Sequence, residues 1–283
     1  MRRIILSTDS GADLPKELVD KYQIQVAPMH IIMDGKDYLD GELSVEEVFN
    51  HYNRTKKIPS TAATNTQEYH NFFSKIKSDF PESTIIHIGC TSKASVSFQS
   101  AVIAAKEFDD LFTIDSLNIT GGLAAIVMHA AVLLKNEPSI DHIHLIEKIE
   151  SFIPKTRLAI LPGSLDFLKA GGRVSNLVYI GGALLKIKPC IELKEGKLVS
   201  TKNYRGKMNI VAEKFMRDFL NEYNIDRKLL FLIYSIGLEE SIKTRMVEIA
   251  RGKGFENVKW MQAGTGISTH AGPGGFGVAG LEC

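Results

Sequence analysis

Three polar stretches of this 283-residue sequence combine backbone and side chains suited to holding a small anion. The first runs from Gly266 to Gly277 and contains His270, Gly272, Pro273, Gly274 and Gly275. Glycine permits positive φ and close approach of a ligand to the main chain, and Pro273 fixes φ between two glycines. Such a loop can be rigid and still present N–H groups, and His270 adds a ring N–H donor whether neutral or charged. The second stretch, Thr91 to Ser97, carries Ser92 and Ser95 and follows a strand-like run. The third, Pro59 to Tyr69, carries Thr61 and leads into a helix. Hydroxyls, helix N–H groups and an imidazole converging on one point would hold a carboxylate or a phosphate. The alternative for each of Thr61, Ser92 and Ser95 is a helix cap, and for His270 a core histidine beside a glycine turn.

Other residues add weaker candidates. Arg173 follows Gly171-Gly172 at a helix C-terminus, where the dipole alone favours a cation, but arginine also suits bidentate anion contacts. Lys202, Arg205 and Lys207 form a basic cluster where a loop is expected, either a solvated face or a docking surface. Asp9, Asp13, Asp37 and Asp40 lie on N-terminal loops without diagnostic metal spacing, and no metal is expected. There is no GxxxxGK[ST], GxSxG or HExxH, and neither glycine pair fits GxGxxG after a strand, so no enzyme chemistry has a strong local candidate.

The elements that must position these residues follow from periodicity. Strands are expected at Ile4–Leu6, Ile24–Met33 (interrupted by Pro28), Thr84–Gly89 and Phe112–Asp115. Helices alternate with them: one opening at Pro15 with Asp13 as cap, Val45–Asn53 behind a Ser44/Glu47 capping box, Phe98–Phe108, and Leu123–Leu134. This alternation argues for βαβ units and a parallel sheet. After Pro154 the pattern changes. A strand at Leu158–Leu161, a short helix Leu165–Ala170, a hairpin through Lys186–Leu193 and Gly196–Val199, helices Met208–Tyr223 and Glu239–Arg251, and strands Leu229–Ile233 and Val258–Met261 describe a mixed α/β layer. Ligands bind at the carboxyl ends of strands in open α/β sheets, which is where the polar loops fall.

The length favours two domains, divided at the change of pattern into 1–157 and 158–283. With 44% hydrophobic and 24% charged residues the composition is that of a soluble globular protein. A formal net charge of +1 argues against nucleic acid as a partner. Cys90, Cys190 and Cys283 form no metal or redox pattern, and the odd count fits a reducing compartment. The N-terminus turns polar too soon for a signal peptide, and no apolar run approaches the ~18 residues of a membrane span. A cytoplasmic protein is expected.

Taken together, the polar stretches resemble the DegV family. Ser7-Thr8-Asp9-Ser10-Gly11-Ala12-Asp13-Leu14-Pro15 looks like the family's opening. Thr61 matches a family Thr, with Ala62 in place of the following Ser. Ser92, Ser95, Gln99, Ser100 and Ala101 match a Ser-Ser-Gly-Leu-Ser-Gly-Thr-Tyr-Gln-Ser-Ala type of run, in which Lys93, Ala94 and Val96 replace Gly, Leu and Gly. Leu165 to Val174, Leu185 to Pro189, and His270-Ala271-Gly272-Pro273-Gly274 complete the resemblance, in order along almost the whole chain.

The resemblance implies a two-domain α/β protein: an N-terminal three-layer α/β/α unit with a parallel sheet, and a C-terminal two-layer α/β unit with a mixed sheet. It implies a non-catalytic carrier, without cofactor, that binds a long-chain fatty acid in an apolar tunnel between the domains. Thr61, Ser95 and His270 would hold the carboxylate, with Ser92 and Gly272 beside them and Arg173 in support. A separate fatty acid kinase would be the partner, making the acyl phosphate for phospholipid synthesis and docking on Arg205 and Lys202. The role leaves room for transient membrane contact. Apolar residues available to line a tunnel include Leu161, Phe167, Leu184, Leu185 and Ile187. The alternatives are an enzyme acting on a small phosphorylated or dihydroxyacetone-like substrate, and a regulatory module whose ligand is only a signal.

Overall fold

The computed structural model describes residues 2–174 and 187–283. Leu184, Leu185 and Lys186 lie outside the described residues. The elements in order are β1 (Ile4–Asp9), α1 (Lys16–Tyr22), β2 (Gln25–Ala27), β3 (His30–Met33), β4 (Lys36–Leu39), α2 (Val45–Thr55), β5 (Ser60–Ala62), α3 (Thr66–Asp79), β6 (Thr84–Gly89), α4 (Ser97–Ala105) and β7 (Leu111–Asp115). Then come α5 (Thr120–Asn136), α6 (His142–Phe152), β8 (Thr156–Leu161), α7 (Leu165–Gly171), β9 (Ile187–Lys194), β10 (Lys197–Arg205), α8 (Met208–Glu222), β11 (Leu230–Tyr234), α9 (Glu240–Gly252), β12 (Val258–Gln262), α10 (Thr265–Ala271) and β13 (Phe276–Leu281).

β2, β1, β6 and β7 form a parallel sheet in that order. Every residue of β6 is buried, as expected of a strand covered on both faces. Strand alternation assigns the layers. Ile5, Ile85 and Leu111 pack with Phe73 and Ile76 of α3 and Ala101 of α4. Leu6, Ile86, Ile88 and Ile114 face α5 and α6 on the other side. The result is the α/β/α sandwich expected from the resemblance.

The second sheet is mixed, in the order β10-β9-β8-β13-β11-β12. One face packs on Phe215, Met216 and Phe219 of α8 and Met246 and Ile249 of α9. The other face presents Leu158, Phe231, Ile233 and Ala279 to α5. The apolar helix α5 therefore lies between the two sheets and is buried on nearly all sides, which explains why its sequence lacks a polar face.

Several local expectations change. The run Ile24–Met33 is two strands in different sheets, broken by Pro28: β2 joins the parallel sheet, while β3 joins an unforeseen antiparallel sheet β4-β3-β5. Asp13 does not cap α1; Pro15 occupies that position, and Asp13 is left-handed (φ 53°). Lys202 and Arg205 lie on β10, the last strand of its sheet among the described residues, and not on a loop. The stretch Gly266 to Gly277 is not one loop: it is most of α10, a glycine turn and the first two residues of β13.

Candidate functional site

A cavity of about 500 Å³ opens between the two sheets. The first half of the chain contributes Gly11, Met29, Thr61, Ala62, Ala63, the run Cys90 to Val96, and Ile119. The second contributes Ile160, Pro162, Leu168, Arg173, Val174, Ile191 and Leu198, with Gly266, Ile267, His270 and Ala271 from α10. Its size falls in the ~300–1,000 Å³ range of small-molecule sites.

Four of the expected anion-holding residues line the cavity, Thr61, Ser92, Ser95 and His270, as does Arg173. β5 brings Thr61 in by pairing it with Ile31 of β3. The Thr61 hydroxyl lies 2.8 Å from His270 Nε2. His270 Nδ1 is buried and has no hydrogen-bond partner among the described residues. It faces Gly171 at the end of α7, where an added Cβ would stand only 2.2 Å away. Burial, followed by the charge of Arg173, depresses the His270 pKa to about 4. The ring is neutral at pH 7. With its proton on Nε2 it donates to Thr61, freeing the threonine O–H for a ligand oxygen.

Arg173 does what its helix-terminal position suggested and more. Its Nη1 donates to the Gly171 carbonyl (2.6 Å), while its charge reaches the His270 ring. Ser95 Oγ accepts the Ser97 N–H at the start of α4 (3.1 Å), a capping contact that leaves its own proton available. Ser92 is exposed and gives its N–H to Asp115. Thr91 Oγ1 donates to the Gly196 carbonyl (2.8 Å), tying this loop to the β9–β10 turn.

Gly272 lies outside the cavity wall. Its φ of 72° and the Ser164 Cβ, 2.6 Å from any added Cβ, make it a packing glycine. Lys202 pairs with Glu222, and Arg205 is exposed on the same strand. Leu161 and Phe167 are core residues and not cavity residues. Asp9 is fully buried: it accepts from Tyr69 and from the Cys90 N–H (2.6 Å) and lies 3.4 Å from His87. Burial raises its pKa, but His87, Tyr69 and the Cys90 amide outweigh that and hold it below the usual value. No cluster of metal-ligating side chains occurs among the described residues.

The apolar wall was missed. Ile160 alternates with buried Ala159 and Leu161 on β8, so the period was visible, but not what its other face would meet. Ile191 and Leu198 lie on the β9–β10 hairpin for the same reason.

The chain matches the family model "Uncharacterised protein, DegV family" over residues 3–282. A DegV domain-containing protein of Caldanaerobacter subterraneus subsp. tengcongensis is 33% identical over 285 residues, 98% of each chain. A protein of Thermotoga maritima named "Fatty acid-binding protein" is 27% identical over 293 residues, 99% of each chain. Among solved structures, a fatty acid-binding DegV family protein of Thermus thermophilus superposes with a TM-score of 0.88 at 24% identity, covering 99% of this chain and 100% of its own. A stearic acid-binding protein of Eubacterium ventriosum gives a TM-score of 0.82 at 22% identity, covering 100% and 98%. The fold, the order of the matched motifs and the span of the family match lead to one conclusion: this protein belongs to the DegV family.

Proposed function

We propose that this protein binds a long-chain fatty acid in the cavity between its sheets and presents the carboxylate to a separate fatty acid kinase. The observation that carries the reading is the Thr61–His270 pair, set in a cavity whose remaining wall is largely aliphatic. A long-chain acid buries on the order of 15 methylenes at ~0.8 kcal/mol each, enough to exceed the costs of association. A buried carboxylate needs donors, and the Thr61 and Ser95 hydroxyls, the neutral His270 and the Arg173 charge are of the right kind. The protein is then a cytoplasmic carrier and not itself a catalyst. Its units divide at residues 157 and 158, and the exposed Arg205, with Lys202, receives the kinase. None of the helices among the described residues is long and apolar enough to cross a membrane.

Organic extraction of the purified protein followed by mass spectrometry tests the reading, with calorimetry of the delipidated protein against palmitate. Release or rebinding of a long-chain acid is expected. Neither release nor binding would overturn it. With a cognate kinase, Arg205→Ala should slow turnover while leaving palmitate affinity intact.

A further inference from the structure

α10 bridges the two halves of the chain and carries a large part of the cavity wall. Its first turn is held by the first half. The Gly264 N–H donates to Asp13 Oδ1 (2.9 Å), the Gly266 N–H to Asp40 Oδ1 (3.2 Å), and the Thr265 hydroxyl to the Leu43 carbonyl (2.7 Å). Its last turn is held by the second half. The Gly163 and Ser164 N–H groups donate to the Ala271 carbonyl (2.9 and 3.3 Å), and Ser235 donates to the Gly272 carbonyl. At 1.5 Å per residue, His270 lies about 9 Å along the axis from Gly264.

Asp13 joins this bridge to the helix between the sheets. Its second oxygen accepts the Thr120 hydroxyl at 2.6 Å, at the first residue of α5. Asp40 stands behind it, oriented by Ser10 Oγ at 2.8 Å. The space is close-fitting: an added Cβ at Gly264 would lie 2.9 Å from Asp13 Oδ1, and one at Gly266 3.0 Å from Asp40 Oδ2.

We propose that Asp13, backed by Asp40, is a positioning residue of the head-group site: its carboxyl pins the start of α10 to α5 and so sets where the His270 ring meets Thr61. Asp13 itself does not line the cavity. It acts through a short helix whose own sequence, with glycine, serine and two threonines, holds a helix weakly.

The groups facing Asp13 are the Thr120 hydroxyl from α5, the Gly264 N–H from α10, the Asp40 carboxylate, and the Cys90 thiol at the end of β6. Burial raises the Asp13 pKa most; the Thr120 and Gly264 bonds lower it, the Asp40 charge raises it, and it settles at about 8. The folded state therefore prefers the neutral acid. That stabilisation is complete below the unperturbed 3.8 and is lost as pH rises toward about 8. Above that, the Thr120 and Gly264 bonds tighten on the carboxylate while the like charges of Asp13 and Asp40 repel, so the start of α10 shifts.

The test reads the His270 ring directly, by nitrogen NMR of the delipidated protein between pH 6 and about 9.5, alongside palmitate affinity and thermal stability. Wild type should show the ring signal moving as pH passes about 8. Asp13→Asn mimics the neutral acid and should keep the neutral-pH ring signal while abolishing the alkaline change. Asp13→Ala should shift or broaden the ring signal at pH 7 and weaken palmitate roughly tenfold, the loss of about one hydrogen bond's worth of positioning. If Asp13→Ala does not fold, Gly264→Ala, whose methyl presses on the same carboxyl, should displace the ring signal. An unmoved ring signal in the folded variant, or the same alkaline change in Asp13→Asn, overturns the proposal. The affinity readout rests on the fatty acid reading; if wild type binds no palmitate, that reading fails, and the ring measurement still decides this one.

Discussion

Thr61 and His270 are 209 residues apart in sequence and meet 2.8 Å apart at the cavity. One lies on a three-residue strand of the small antiparallel sheet, the other at the end of α10. Neither is held by its own element alone. Thr61 is placed by pairing with β3, and His270 by a helix anchored at both ends. The contact therefore reports whether the two halves are correctly docked.

Thr61→Val keeps the shape and β-branching of the residue but removes the hydroxyl. It deprives a ligand carboxylate of one donor and leaves His270 Nε2 without its partner. A hydrogen bond to a charged group is worth roughly 1.5–3 kcal/mol, so palmitate affinity should fall about tenfold to a hundredfold. Calorimetry on the delipidated variant checks this. Wild-type affinity would remove the hydroxyl from the head-group site.

Much of the fold was legible where local chemistry decided it. The Ser44/Glu47 capping box forms as read, and β6 spans the expected residues. α6 was missed although Asp141, whose side chain accepts from the His144 N–H, signals its start. β5 and α10 were not legible. Three residues of strand exist only because β3 pairs with them, and α10 is held by Asp13, Asp40 and Leu43 from far upstream. For the site, the polar residues announced themselves by composition; Thr61, Ser92, Ser95 and His270 line one cavity, and Thr61 and His270 are in contact there. Gly272 could not be told from a ligand-facing glycine without knowing that Ser164 lies against it. The apolar wall required knowing which face of β8 and β9 the first half would meet.

His30 should make the protein more stable in mild acid than in alkali through a second contact. It lies on β3 between Asp37 (Nδ1 to Oδ1, 2.8 Å) and Glu68 (Nε2 to Oε2, 3.1 Å), joining β4 to the cap of α3. Burial lowers its pKa, but the bonds to Asp37 and Glu68 and their charges outweigh that and raise it above the ordinary value. The folded state thus favours the charged ring. The stabilisation is complete below the unperturbed 6.5 and is lost as pH rises through the raised value. His30→Gln should flatten that part of the stability profile. Both carboxylates are partly exposed, so the effect should shrink in high salt. Chemical denaturation at several pH values, for both proteins, measures it; identical slopes would discount the clamp.

Gly171→Ala isolates the orientation of the His270 ring from the stability of the helix that faces it. Gly171 ends α7 with a backbone that accepts any side chain, since the left-handed residue is the next one, Gly172, at φ 62°. Alanine is better than glycine inside a helix by roughly 1 kcal/mol, so α7 itself should not suffer. The new methyl, however, would stand 2.2 Å from His270 Nδ1 and 3.1 Å from Cγ, far inside contact distance. The ring must turn or move, and its Nε2 then leaves the Thr61 hydroxyl. Palmitate affinity should drop by an order of magnitude or more, since the donor set for a charged group is lost rather than merely weakened. Thermal stability should change far less than affinity. A variant that binds palmitate as wild type does would show that the ring has room to spare and that its contact with Thr61 does not set the head-group geometry. A variant that loses stability and affinity together would point instead to a packing role for the α7–α10 contact.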